Sequence, residues 1–223
     1  YLMSKEIINR VLSSIVLISI ALFFVVKGSF LFNFFIFICF FVAVYEWYQM
    51  NKRKIYFYLG SLFLILSFIS VYLLRNHIKE DESSCLVIFL FVLLTCVGTD
   101  IGGYLFGKIF KGPKLIKISP NKTYAGVIGS FLLSMMAGLI FIKYVESIVF
   151  KNNDQLLVLL VILLISFISQ IGDLIISYFK RKAKLKDTGK IIPGHGGILD
   201  RIDGLIFVFP ALFILVLIII LIK

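Results

Sequence analysis

Charge is scarce in this chain. Only 16% of its 223 residues are charged, with 12 Asp and Glu against 23 Lys and Arg. Hydrophobic residues reach 61%, where an ordinary soluble domain has roughly 45–50%. That scarcity excludes disorder, which needs a polar chain. It also excludes a water-soluble globule, which could not cover so much apolar surface. Cysteine is scarce too. Cys39, Cys85 and Cys96 are odd in number and lie in apolar runs, so they read as small buried hydrophobes and not as a disulfide framework. There are two histidines, and neither a G-x-x-x-x-G-K-[ST] nor a G-x-G-x-x-G phosphate-binding pattern occurs. What is abundant is unbroken apolar sequence, with a mean hydropathy of +1.06. An integral membrane protein is the class left standing.

A hydrocarbon core of about 30 Å takes about 17–25 helical residues to cross. Stretches free of Asp, Glu, Lys and Arg run over 11–26, 28–45, 55–74, 83–99, 123–142, 155–172 and 204–222. They predict an all-α polytopic membrane protein with about seven transmembrane helices. The runs are continuous, without the period-2 alternation of a barrel. The first is short, but flanking Arg10 and Lys27 can snorkel. It is followed by Lys27-Gly28-Ser29, with no small-residue cleavage site, and so reads as an uncleaved anchor.

Alternating these spans from a cytoplasmic N-terminus places 17 Lys and Arg on the cytoplasmic side and 6 on the other. Such a bias sets orientation. It accounts for most of the +11 net charge, and no nucleic-acid partner is expected. The expected location is the inner (plasma) membrane, multi-pass, with the active site facing the cytoplasm. The chain reads as a single membrane domain over 1–223: N-terminal helices to residue 99, a catalytic region over 100–203, and a last transmembrane helix over 204–223. Two segments, Asp100 to Thr123 and Asp173 to Asp203, are too long and too polar for simple connectors, and both fall on the cytoplasmic side.

Asp100 and Asp173 each follow an apolar run and stand near the edge of the hydrocarbon. An acid there costs roughly 2.5–3.5 kcal/mol on insertion scales and usually lines a polar cavity. If the sixth helix continues past Asp173, then Asp173, Ser177 and Lys180 share one face at i, i+4 and i+7. Downstream, Pro193 to Gly204 holds glycines that let backbone approach a ligand, His195, and Asp200 and Asp203 three residues apart at the start of the last helix. Three carboxylates, Asp173, Asp200 and Asp203, converging without Cys or a His pair suit a hard cation such as Mg²⁺. Lys180, Arg181, Lys186, His195 and Arg201 around them suit a highly anionic substrate. Carboxylates, Mg²⁺ and a basic rim together make a polyphosphate site.

The run Ser177-Tyr-Phe-Lys180-Arg181, four residues, Lys186-Asp187, then Pro193-Gly-His195-Gly196-Gly197-Ile-Leu-Asp200-Arg201-Ile-Asp203 resembles the signature of the phosphatidate cytidylyltransferase (CDP-diacylglycerol synthase) family over 27 residues without a gap. Asp100-Ile-Gly-Gly-Tyr104 and Ser119-Pro120-Asn-Lys122-Thr123-Tyr-Ala-Gly126 look like the family's second block, and Glu46-Trp47 and Arg10 fit it weakly. The second block departs from the family pattern at Ala125, where an acid is usual, and at Tyr124, where a bulkier aromatic is usual. The resemblance implies a polytopic fold, with eight or more spans in many members, and often a homodimer. It implies the reaction of CTP with phosphatidate to give CDP-diacylglycerol and pyrophosphate. It makes Asp173, Asp200 and Asp203 the metal acids, with room for a second cation, and Lys180 and Arg181 catalytic. Ser177, Lys186, Asp187, His195, Gly196, Gly197 and Arg201 would bind nucleotide or phosphates, joined by Asp100, Ser119, Lys122 and Thr123.

The expected chemistry is in-line attack of the lipid phosphate on the α-phosphorus of CTP. A phosphate monoester has its second pKa near 6, so the nucleophile is ionised at neutral pH and needs no strong general base. A CTP-dependent lipid-alcohol kinase is the rival enzyme; it would transfer the γ-phosphoryl group and release CDP. A transporter is the rival of another class, but its polar groups should lie near the bilayer midplane, whereas here the acids gather at one membrane face.

Overall fold

The computed structural model describes residues 16–52, 55–78, 81–116, 119–145, 155–192 and 196–222. Among the described residues, seven apolar helices match the seven runs. Five are long and apolar enough to cross a membrane: α2 (Ser29–Met50), α3 (Ile55–Asn76), α4 (Glu82–Phe110), α5 (Tyr124–Val145) and α6 (Gln155–Lys182). Two are shorter: α1 (Val16–Lys27) and the apolar part of α8 (Leu205–Ile222). A four-residue helix α7 (Leu199–Ile202) precedes α8, and the only sheet among the described residues is an antiparallel hairpin of β1 (Lys114–Ile116) and β2 (Ser119–Thr123). Large apolar side chains lie exposed along the long helices, Phe30, Phe34, Phe37 and Phe41 on α2 among them. Water would make that surface aggregate, but a lipid solvent makes it the ordinary outer face of a polytopic protein.

The chain forms two compact units. The first comprises Tyr1–Tyr72 and Phe179–Ile202, the second Leu73–Tyr178 and Asp203–Lys223. In the first, α1 and α2 are separated only by Gly28, with φ of 62° there and 48° at Ser29. The chain reverses at this point. Phe24 and Phe35 stack with ring centroids 4.9 Å apart, whereas eleven residues of straight helix would separate them by about 16 Å. Glycine is the residue that enters the left-handed region without a Cβ penalty. At the other end of α2, Trp47 lies against the start of α3. Its Nε1 donates to the Tyr56 and Phe57 carbonyls at 3.2 Å, and a Cβ at Gly60 would stand 2.1 Å from its ring.

In the second unit, α4 and α5 pack backbone to backbone. A Cβ at Gly102 would meet the Gly129 carbonyl at 2.2 Å, and Ser130 Oγ donates to the Thr99 carbonyl at 2.8 Å. Lipid gives no hydrophobic drive between helices, so close van der Waals contact and interhelical hydrogen bonds hold such a pair. Thr95 and Thr99 are buried and satisfy their hydroxyls on carbonyls four residues back. Cys85 and Cys96 are buried free thiols and Cys39 is half-buried, as their apolar surroundings predict.

Two expectations change. The polar segment after residue 99 is not a loop from its start: α4 runs on through Asp100 to Phe110, because Gly102, Gly103 and Gly107 pack against α5 and keep the helix in contact beyond the apolar run. Asp200 and Asp203 do not share the first turn of one helix. A turn at Asp203-Gly204 divides α7 from α8, with Gly204 N donating to Asp203 Oδ1 at 2.9 Å.

Candidate active site

In the first unit, α6 ends in a left-handed turn. Leu185 N donates to the Lys180 carbonyl at 2.9 Å and Lys184 N to the Arg181 carbonyl at 3.0 Å, with Lys184 at φ 58°. These paired bonds cap the orphan carbonyls of a helix end. The exposed Arg181 guanidinium adds a bond to the Leu185 carbonyl at 3.1 Å. Lys186 and Asp187 follow on the surface. The chain then folds back, Ile192 N donating to the Gly196 carbonyl at 3.0 Å, and Gly196 at φ 82° turns it into α7.

Asp200 organises this segment. Lys180 Nζ stands 2.7 Å from Oδ1. Oδ2 accepts from Thr188 N at 2.8 Å, Thr188 Oγ1 at 3.0 Å and Gly197 N at 3.1 Å. The pair is largely buried, 12% of the Lys180 side chain and 6% of the Asp200 side chain being exposed. Burial alone would raise the Asp200 carboxyl. The Lys180 ammonium and the backbone N–H groups of Gly197 and Thr188 outweigh it and hold the carboxyl below its ordinary value of 3.8. A fully ionised carboxylate at neutral pH follows.

In the second unit, α6 continues past Asp173, as the shared face requires, and Ser177 Oγ donates to Asp173 Oδ1 at 3.2 Å. The partner of Oδ2 is Lys122 Nζ at 2.6 Å, delivered by β2; the same ammonium lies 3.5 Å from the Gln170 carbonyl. Thr123 ends β2 and its Oγ1 accepts from Gly126 N at 3.1 Å, capping α5. Ser119 opens the strand. Asp100 is exposed on α4, Arg201 is exposed on α7, and Asp203 lies half-buried in the turn before α8. His195 lies outside the described residues.

The carboxylate oxygens fit a hard divalent cation in kind. Among the described residues no three His, Cys, Asp or Glu side chains stand as a ready metal-holding group. Asp173 and Asp200 each carry a lysine as counter-cation. An ammonium beside each acid offsets the cost of taking its charge out of water, and it marks both as positions where positive charge is demanded.

Sequence reasoning gave no role to two residues that hold this segment, Thr188 and Glu46, the latter noted only as a weak fit to the family. Glu46 of α2 is 1% exposed and accepts from Ile198 N at 3.0 Å, Leu199 N at 2.8 Å and Thr188 Oγ1 at 2.8 Å. An acid at the end of an apolar run was the signal that singled out Asp100 and Asp173, and it applied equally to Glu46. Thr188 carried no signal, since a single threonine in a polar loop is unremarked.

The chain is similar to phosphatidate cytidylyltransferases of several bacteria. The family model described as the cytidylyltransferase family matches residues 8–79 and 56–219. A phosphatidate cytidylyltransferase of Rickettsia typhi is 36% identical over 214 residues, which cover 94% of this chain and 91% of that protein. One of Staphylococcus saprophyticus is 36% identical over 171 residues, covering 76% of this chain and 64% of its own length. One of Staphylococcus aureus is 37% identical over the same span and shares. The family match takes in α2 with Glu46, the Lys122 strand and the whole Asp173 to Asp203 segment, and on that ground the chain belongs to the cytidylyltransferase family.

Proposed function

We propose that this chain is a multi-pass membrane nucleotidyltransferase that joins CTP to phosphatidate, giving CDP-diacylglycerol and pyrophosphate. The observation that carries this reading is the 36% identity to a phosphatidate cytidylyltransferase across 94% of the chain. The lipid phosphate is its own nucleophile, being ionised near neutral pH. The protein's task is therefore positioning and charge stabilisation. Lys180, Arg181 and Lys186 hold phosphate oxygens of the triphosphate, and Lys122 with Ser119 and Thr123 faces the lipid phosphate. Ser177, Asp187, His195, Gly196, Gly197, Arg201 and Asp100 complete the binding surface. Asp173, Asp200 and Asp203 are the residues that would hold Mg²⁺. When bound, such a cation neutralises phosphate charge that grows on the departing pyrophosphate.

The excess of 17 Lys and Arg over 6 supports a site on the cytoplasmic face of the inner membrane, where CTP arrives from water while acyl chains stay in lipid. The test is the full chain in detergent with phosphatidate, Mg²⁺ and CTP labelled at the α-phosphorus. Label entering lipid together with pyrophosphate release is the expected result. Release of labelled CDP with a newly phosphorylated lipid alcohol would identify a kinase instead, and no labelled product from any lipid would overturn the reading.

A further inference from the structure

The reaction as proposed gives Glu46 nothing to do, yet this carboxylate is among the most buried polar groups of the first unit. It comes from α2, more than 140 residues away in sequence from the segment it touches. Its Oε1 accepts from Ile198 N, and its Oε2 accepts from Leu199 N and Thr188 Oγ1. The two backbone N–H groups belong to the entry into α7, the turn of helix that presents Asp200. The hydroxyl belongs to the residue whose own N–H and Oγ1 also meet Asp200 Oδ2. One threonine thus stands between two carboxylates, which share its single hydroxyl proton. Glycines make room for the acid: a Cβ at Gly189 would lie 2.6 Å from Glu46 Oε1, and a Cβ at Gly197 would lie 2.3 Å from Oε2.

We infer that Glu46 is a positioning residue for Asp200. It clamps both strands of the glycine-bearing segment, 188–189 and 197–199, to the end of α2, and Thr188 passes the constraint to the Asp200 carboxylate. A carboxylate suits the place because it offers acceptors only, and three donors converge on it. Glutamine would turn an N–H₂ group toward one of those donors. The inference rests on the cytidylyltransferase reading for its catalytic consequence, but the clamp itself is a statement about the folded chain and is testable without turnover.

Two experiments separate the two. The first follows backbone hydrogen exchange of 196–200 in the full chain in detergent. Glu46→Gln and Thr188→Val should each speed exchange there by about tenfold, the worth of a charge-assisted hydrogen bond, while Thr188→Ser, which keeps the hydroxyl, stays close to the parent. In the same preparation Gly189→Ala should lower the melting temperature in the parent and do so far less in a Glu46→Ala background, because the atoms its Cβ meets belong to Glu46. The second measures CDP-lipid formation. Thr188→Val should lower kcat by about tenfold and raise the Mg²⁺ concentration giving half-maximal rate, with KM for phosphatidate unchanged and Thr188→Ser restoring both. Parent-like exchange in Glu46→Gln and Thr188→Val, or additive effects of Gly189→Ala and Glu46→Ala, would overturn the clamp. Changed exchange with parent-like kcat and Mg²⁺ dependence would overturn its catalytic role. An inactive parent with an intact exchange pattern would count against the cytidylyltransferase reading alone.

Discussion

The two lysine–aspartate pairs are alike in chemistry and unlike in setting. Lys180–Asp200 spans 2.7 Å and Lys122–Asp173 spans 2.6 Å. The first is nearly closed to solvent, and Asp200 takes the Lys180 ammonium, two backbone N–H groups and a share of the Thr188 hydroxyl from a single folded segment. In the second, 34% of the Asp173 side chain is exposed, and the Ser177 hydroxyl on its own helix also donates to it. A partly exposed pair gains little net energy and exchanges partners easily. A buried, fully hydrogen-bonded one cannot lose a member without stranding the other. Residues of the same type thus stand differently: Asp200 holds the segment's shape as well as its charge, while Asp173 is tied, among the described residues, only to a lysine of β2 and a hydroxyl of its own helix.

The largest expected effect comes from Asp200→Asn. It should abolish CDP-lipid formation and also cost roughly 3 kcal/mol of stability, seen as a clear fall in melting temperature in detergent. Lys180→Ala should follow at a similar cost, since it leaves a buried carboxylate without its cation. Asp173→Asn should remove turnover just as fully but shift stability by no more than about 1 kcal/mol. Equal destabilisation by the Asp173 and Asp200 variants would erase the distinction drawn here. Lys122→Ala should be milder still in stability, with its effect concentrated in KM for phosphatidate, which a steady-state titration of lipid would report.

The smallest effect belongs to a third carboxylate, Asp81, which is exposed and caps α4. It accepts from Ser84 N at 2.9 Å and from the Ser83 hydroxyl. Those hydrogen bonds, Ser83's first, hold its carboxyl below the ordinary 3.8. A depressed acid contributes stability above its unfolded value and loses it as pH falls through the folded one. Acidification below 3.8 should therefore loosen only the first turn of α4, read as faster exchange at Ser84 after correction for intrinsic rates. A global loss of structure over the same range would instead point to the buried pair.

Parts of this molecule were plain from residue order alone, and others were not. The apolar helices α1 to α6 and α8 followed from run length, because in lipid every backbone polar group must be satisfied within its own helix. The face shared by Asp173 and Ser177 followed from helical periodicity once α6 was known to continue. The β1–β2 hairpin escaped notice because a three-residue strand carries no period to read. The continuation of α4 to Phe110 escaped because its cause is glycine contact with α5, not local propensity.

Residue order alone established a polytopic chain and singled out two polar segments, since hydropathy and charge act locally and survive without a fold. Which lysine meets which aspartate, and that Glu46 clamps the turn bearing Asp200, came only from the folded chain. Those choices depend on contacts between residues from 20 to more than 150 positions apart, and no local pattern encodes a distance of that kind.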